Sequence, residues 1–260
     1  MSGLVVDRSS WARLRLTGSD RVRFLQGLTT VNVEQLADGA HGWGAILTPK
    51  GRVLSVIDIA RTGEAFDLAC EASLGDPTRA LLERYAVMDD VVFDPRTGPA
   101  HQRWQDPASV WSAPIVEGAA ADDPGLDELD PAVERLRIRA GFPRYGVDVD
   151  DGNFPFETPL QRFLDYGKGC YVGQEPVFRV HAQGNAARTL RGLRVEGAAP
   201  LPAGAAIKHP AKDSAGAITS QVPDGDHTLA LGYLHRTCWT AGDTVEIDGR
   251  RAVVHELPWA

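Results

Sequence analysis

Tyr166-Gly167-Lys168-Gly169-Cys170-Tyr171-Val172-Gly173-Gln174-Glu175-Pro176-Val177-Phe178-Arg179-Val180-His181 gathers an amine, a thiol, a carboxamide, a carboxylate, a guanidinium and an imidazole within sixteen residues. Its glycines let the backbone take positive φ and approach a neighbour closely. Residues 168–175 therefore read as a loop that displays side chains and bare amides. Residues 177–183 partly alternate, which predicts a half-buried strand with Arg179, His181 and Gln183 on one face. A plain turn with Cys170 packed as a small hydrophobe explains the glycines. It does not explain so dense a set of reactive and hydrogen-bonding groups.

Downstream, residues 190–195, 217–222, 229–234, 244–247 and 251–254 are short strand-like runs at close spacing, the pattern of a small β-barrel. Residues 198–206 read as a Pro/Gly/Ala-rich connection. The boundary falls near Asn185, dividing residues 1–185 from a barrel domain over residues 186–260.

Upstream, residues 11–17 alternate as a first strand. Gly18 turns it, and Ser19 is placed to cap a helix from Asp20 with Val22, Leu25 and Leu28 inward. Residues 43–47 and 53–60 flank the turn Thr48-Pro49-Lys50-Gly51-Arg52, and residues 65–70 continue the meander. Asp76-Pro77 starts a second helix, and residues 91–93 close the unit as a strand. Trp104, Val110, Trp111, Ile115 and Val116 suggest one or two further strands, and residues 118–125 an exposed connection. Asp130-Pro131 starts another helix, with Val133, Leu136 and Ile138 inward, ending near Gly141. This order of elements predicts an α+β class with helices layered on antiparallel sheet.

The net charge of −8 argues against a dedicated nucleic-acid binder. Residues 168–194 nevertheless carry Lys168, Arg179, Arg188, Arg191 and Arg194 against Glu175 alone. A small anionic ligand, an acidic protein surface or a merely solvated face would each suit that. Cys70, Cys170 and Cys238 form no C-x-x-C and no disulfide ladder, as expected in a reducing compartment. No signal peptide and no apolar run long enough for a membrane helix is seen, so a cytoplasmic protein is expected.

Gly167-x-Gly169-x-x-x-Gly173 misses the dinucleotide spacing, and no P-loop occurs. In Asp148-Val149-Asp150-Asp151-Gly152 the glycine comes one place early for a calcium loop, and Pro159 occupies the position of its bidentate glutamate. That run reads as solvated and turn-forming. No histidine pairs with cysteine at zinc spacing, and no metal site is expected. Cys170 with His181 could form a thiolate–imidazolium nucleophile. Alternatively Lys168 lowers the thiol pKa and makes Cys170 a redox-sensitive or transiently ligating thiolate.

Lys168-Gly169-Cys170-Tyr171-x-Gly173-Gln174-Glu175 followed by Arg179 resembles the signature of the YgfZ-type folate-binding proteins, relatives of the glycine cleavage T-protein aminomethyltransferase. Further matching pieces lie in order along the chain: residues 24–30, residues 50–54, Arg137-x-x-Ala140-Gly141, Tyr145-Gly146-x-Asp148-x-Asp150 and Pro155-x-Glu157. The resemblance implies two α+β (ferredoxin-like) units and a C-terminal β-barrel around a central opening. It implies tetrahydrofolate or a folate derivative as cofactor. It also implies a role in assembly or repair of iron–sulfur clusters, in support of tRNA modification, with iron–sulfur enzymes or assembly proteins as partners. Cys170 and Lys168 would be the reactive pair, and Gln174, Glu175, Arg179, Glu157 and Tyr171 the folate contacts. Glu175 and Arg179 would alternatively brace each other.

The chain departs from the T-protein pattern at two places. Ser55-Val56 stand where that pattern has an aspartate pair, and Arg139 where it has a glutamate. A carboxylate is the natural acceptor for the paired N–H donors of a pterin edge. These losses argue against aminomethyl transfer; either Glu157 substitutes as the acid, or Arg139 meets a different anionic group. A folate-dependent transferase and a binding module without folate are the alternatives.

Overall fold

The computed structural model describes residues 3–121, 123–184 and 186–259. In chain order the elements are β1 (Leu4–Asp7), β2 (Ala12–Thr17), α1 (Arg21–Leu28), β3 (His41–Leu47), β4 (Val53–Thr62), β5 (Ala65–Cys70), α2 (Gly75–Tyr85), β6 (Val92–Arg96), β7 (Ala100–Trp104), α3 (Ser109–Ser112), β8 (Val116–Glu117) and α4 (Pro131–Ala140). Two 3-10 turns, Pro155–Glu157 and Pro159–Phe163, lead to α5 (Gln174–Gln183). There follow β9 (Arg188–Glu196), β10 (Ala206–His209), β11 (Lys212–Asp224), β12 (His227–His235), β13 (Thr244–Ile247) and β14 (Arg250–His255).

The first sheet is antiparallel in the order β3-β4-β5-β2-β6. Ile46, Ile57, Ile59 and Phe66 on one face pack against Phe24 and Leu25 of α1 and Leu82 of α2. The other face carries Trp43, Ala45 and Val56 into a second core with Trp111 and Phe142. Trp43 meets Phe142 edge-on at 4.8 Å, a favoured aromatic arrangement. Burial on both faces explains why residues 43–47 and 53–60 are nearly continuous apolar runs.

The second sheet, in the order β1-β7-β8, recruits the N-terminal strand, whose Leu4 pairs with Trp104. The C-terminal strands form a closed barrel in the order β10-β11-β12-β9-β14-β13, as its spacing led us to expect. Its β10 lies just after the Pro/Gly/Ala-rich run, where Ile207 supplies the inward side chain.

Capping chemistry set α4 as anticipated. The Asp130 carboxylate accepts from the Ala132 N–H at 2.8 Å, and Gly141 closes the helix with φ 69°. Elsewhere local signals misled. Ser19 does not cap α1; its hydroxyl and N–H donate to the Asp90 carboxylate instead. Val110 and Trp111 lie on the short helix α3, not on a strand. Residues 177–183 belong to a helix, not a strand. Val177 and Val180 are three apart, Pro176 sits in the first turn where its missing N–H costs nothing, and Gly173 supplies the start. Arg179 and His181 therefore do not share a face.

Asp148 is buried, which overturns its reading as part of a solvated acidic run. It accepts from Arg137 of α4 at 2.7 Å, from the Arg144 N–H at 3.0 Å and from the Ser220 hydroxyl of β11 at 2.7 Å. Glu134 takes the other edge of Arg137 at 2.9 and 3.0 Å. This charge cluster fastens the barrel to α4. The domain boundary expected at Asn185 falls on a residue outside the described set. Among the described residues no helix is long and apolar enough to cross a membrane.

Candidate functional site

The loop before α5 is held from several sides. Gln26 donates its amide to the Lys168 carbonyl at 2.7 Å, and the Val172 N–H donates to Gly27 O at 3.0 Å. Asn32 donates to the Asp165 carboxylate at 2.7 Å, and that carboxylate accepts the Gly167 N–H at 2.7 Å. Gly173 has φ 82°, and a Cβ there would lie 2.4 Å from Thr48 O and 2.9 Å from Leu47 Cβ. Gly51, in the turn before β4, has φ 77° and would place a Cβ 3.0 Å from Pro176 Cγ. The β3–β4 turn and the start of α5 thus pack at a distance only glycine permits.

Lys168 is not displayed as its setting among glycines suggested. Its side chain is buried, and Nζ donates to the carbonyls of Thr29 and Val31, the latter at 2.6 Å, just beyond the end of α1. A cation suits that carbonyl-rich end. Burial pushes its pKa down to about 8, with Asp165 and Glu34 opposing. The ammonium is committed to backbone carbonyls, which weakens its expected part as the thiol's electrostatic partner. Tyr171 is also buried, 5.1 Å below that ammonium, and desolvation pushes its phenol up to about 12.

Cys170 is the exposed group of the loop, a free thiol facing solvent. On α5 Gln174 is half-buried, while Glu175 and Arg179 are exposed. Among the described residues no ion pair joins Glu175 to Arg179, so the expected brace is not formed. The His181 ring stacks on Tyr166 at 3.8 Å instead of engaging the thiol as a general base would.

Glu157 is buried at the seam between the first 3-10 turn and β9. Its Oε2 accepts from the Phe154 N–H at 3.1 Å, Asn153 at 3.3 Å and Arg188 at 3.3 Å. Its Oε1 accepts only Arg188 Nε, at 3.1 Å. A carboxylate oxygen has two lone pairs, so Oε1 retains one for a further donor. The Arg188 side chain is 44% exposed and lies 4.9 Å over the Tyr233 ring. Hydrogen bonding to Glu157 raises the Arg188 pKa. Phe156 and Thr189, the chain neighbours of this pair, line a cavity of about 270 Å³ walled by Tyr166, His181, Arg191 and Trp239. Sequence reasoning singled out Glu157 but missed Arg188 as its partner, because only the closed barrel brings β9 to the turn.

Arg139 donates to Asp224 of β11 at 2.8 Å. Ser55 is buried and accepts from Thr78 at 3.0 Å, and Val56 is core. Among the described residues no group of three or more His, Cys, Asp or Glu converges as a metal site requires.

No protein-family model matches the chain. It is 28% identical over 229 residues to the tRNA-modifying protein YgfZ of Serratia proteamaculans, a match covering 72% of this chain and 69% of that one. The chain is thus similar in sequence to YgfZ over about two thirds of its length or more. The YgfZ of an Escherichia coli O157:H7 strain is likewise 28% identical over 225 residues, covering 69% and 68%. A putative chloroplastic transferase of Arabidopsis thaliana is 24% identical over 315 residues, covering 98% and 71%. Among solved structures, aminomethyltransferase T of the glycine cleavage system from Bartonella henselae superposes with a TM-score of 0.81 over 100% of this chain and 86% of that one. At 19% identity, that likeness establishes the fold alone.

Proposed function

We propose that this protein binds a tetrahydrofolate-type ligand beside the Glu157–Arg188 pair and acts as an accessory protein in the assembly or repair of iron–sulfur clusters. The observation that carries the reading is the placement of that pair. A buried carboxylate with an unused lone pair and a half-exposed guanidinium adjoin in the chain Phe156 and Thr189, which line a cavity walled by aromatic rings. A pterin presents a flat ring, paired N–H donors and acceptors, and its tail carries carboxylates. Glu157 Oε1 would accept from the ring edge, Arg188 would donate to a carbonyl or carboxylate, and Tyr166 and His181 would supply stacking surface.

The exposed Cys170 supports the second half of the proposal. A thiol becomes nucleophile or metal ligand as its thiolate, and exposure is the first requirement. Its clients would be iron–sulfur enzymes, including those whose product is a modified tRNA, as the name of the relatives suggests. A transferase of the T-protein type draws less support, since Ser55, Val56 and Arg139 are all committed to packing or pairing and offer no acid.

The test uses a strain lacking the gene. Cys170→Ala is expected to leave iron–sulfur enzyme activities depressed. Recovery as full as with the unaltered gene would remove the thiol from the mechanism.

A further inference from the structure

His41 begins β3, and by strand alternation it shares the sheet face of Trp43 and Ala45. Both of its ring nitrogens meet oxygens. Nδ1 lies 2.7 Å from Asp58 Oδ1 on the neighbouring strand β4, and Nε2 lies 2.9 Å from the carbonyl of Ser112, the last residue of α3. A neutral imidazole has a single N–H, so beside an ionised Asp58 it serves one of these acceptors and turns a lone pair on the other. Both contacts form together only when the His41–Asp58 pair holds one further proton. The pair is well placed to keep it. Asp58 is 3% exposed, and burial raises its pKa. For His41, burial opposes the imidazolium, but hydrogen bonding and attraction to Asp58 outweigh it and raise the pKa.

Two other side-chain links hold α3. Gln102 donates to Ala113 O at 2.7 Å, and Trp111 Nε1 donates to Ala140 O at 2.9 Å. Neither side chain titrates. Trp111 also packs on Phe163 at 5.1 Å, where the second 3-10 turn ends between Glu157 and the Cys170 loop. The charges around the pair are Arg8 near Asp58, Arg162 over the Trp111 ring, and Arg13, Arg96, Asp67 and Glu117 around a cavity of about 190 Å³ that Asp58 also lines. Hydrogen bonding to Arg96 lowers Glu117. In Asp67, hydrogen bonds from Arg15 and Thr62 outweigh burial and lower it too. These groups keep their charge around neutral pH. Glu71, near Arg8, titrates at about 7 and acts on overall stability.

We propose that His41 is a proton-held clasp: while the pair keeps its proton, α3 is fastened to the first sheet, and loss of that proton to solvent frees the C-terminal end of α3. The remaining N–H stays on Asp58, the charged acceptor, and the Ser112 carbonyl then faces a lone pair. Nothing in this device depends on the folate reading.

The test is hydrogen exchange of the full chain between about pH 6 and 9, read on a peptide spanning residues 105–116 and corrected for the intrinsic rise of exchange with pH. Protection of α3 is expected to fall at least about tenfold further than that of α4, the worth of one charge-assisted hydrogen bond. The α4 peptide reports the overall effect of Glu71. In Asp58→Asn the carboxamide can donate to Nδ1 while the Nε2–H stays on Ser112, so both contacts form without the further proton and the excess fall is expected to vanish. The His41 ring, followed by NMR in the unaltered chain, is expected to titrate above the ordinary value of 6.5. Equal loss of protection in α3 and α4 would overturn the proposal. So would an excess fall that persists in folded Asp58→Asn, or a His41 ring that titrates below that value.

Discussion

Gly173→Ala tests whether the loop bearing Cys170 is docked or merely tethered. Two penalties meet at this position. An L-residue held at φ 82° costs about 1–2 kcal/mol from its Cβ alone. The new methyl would also lie 2.4 Å from Thr48 O and 2.9 Å from Leu47 Cβ, so the turn or α5 must shift, at a further cost of about 1–3 kcal/mol. Together the loss is about 2–5 kcal/mol. Gly169→Ala is the control, since φ is 92° but nothing lies within 4 Å, leaving only about 1–2 kcal/mol. Urea unfolding of the two variants measures the difference. The undocked loop should also let Cys170 react faster in Gly173→Ala. Equal losses from the two substitutions would refute the close packing of α5 on the β3–β4 turn.

Glu71 has its pKa pushed up to about 7, chiefly by burial. Its folded state binds the proton more tightly than the unfolded chain, so this group's stabilisation is full below about pH 4.5 and is lost as pH rises through 7. Glu71→Gln should flatten that fall, on the order of 2 kcal/mol, in unfolding measured from pH 4.5 to 8. Lys168 runs the other way, because burial holds its folded pKa at about 8, below the ordinary lysine value of 10.5. The folded state releases the proton first, so stability gains on the order of 2 kcal/mol between those values, and Lys168→Met should lack the rise. Asp148→Ala leaves Arg137 buried with an acid removed and should cost about 3–5 kcal/mol, read as a lowered urea midpoint.

Much of the architecture was legible because single residues carried it. Asp130, Pro131 and Gly141 fix both ends of α4, and the spaced short strands after residue 188 announce the barrel. The helix at residues 174–183 was misread because a seven-residue window with Val177 and Val180 fits either period, and the left-handed glycine that starts it also looks like a loop residue. The role of β1 was hidden because its partner β7 lies nearly a hundred residues away. At the site, the motif residues were legible but their tasks were not. Lys168 looks reactive in the sequence yet serves the carbonyls at the end of α1. Arg188 looks like one arginine among several until the barrel sets it against Glu157.

The most direct measurement is calorimetric titration of tetrahydrofolate into the unaltered chain and into Arg188→Gln, with circular dichroism confirming that both are folded. One saturable site is expected, weakened about tenfold or more in the variant by loss of a charge-assisted contact. A folded, unaltered chain that gives no heat and competes for no folate would contradict the assignment of this seam.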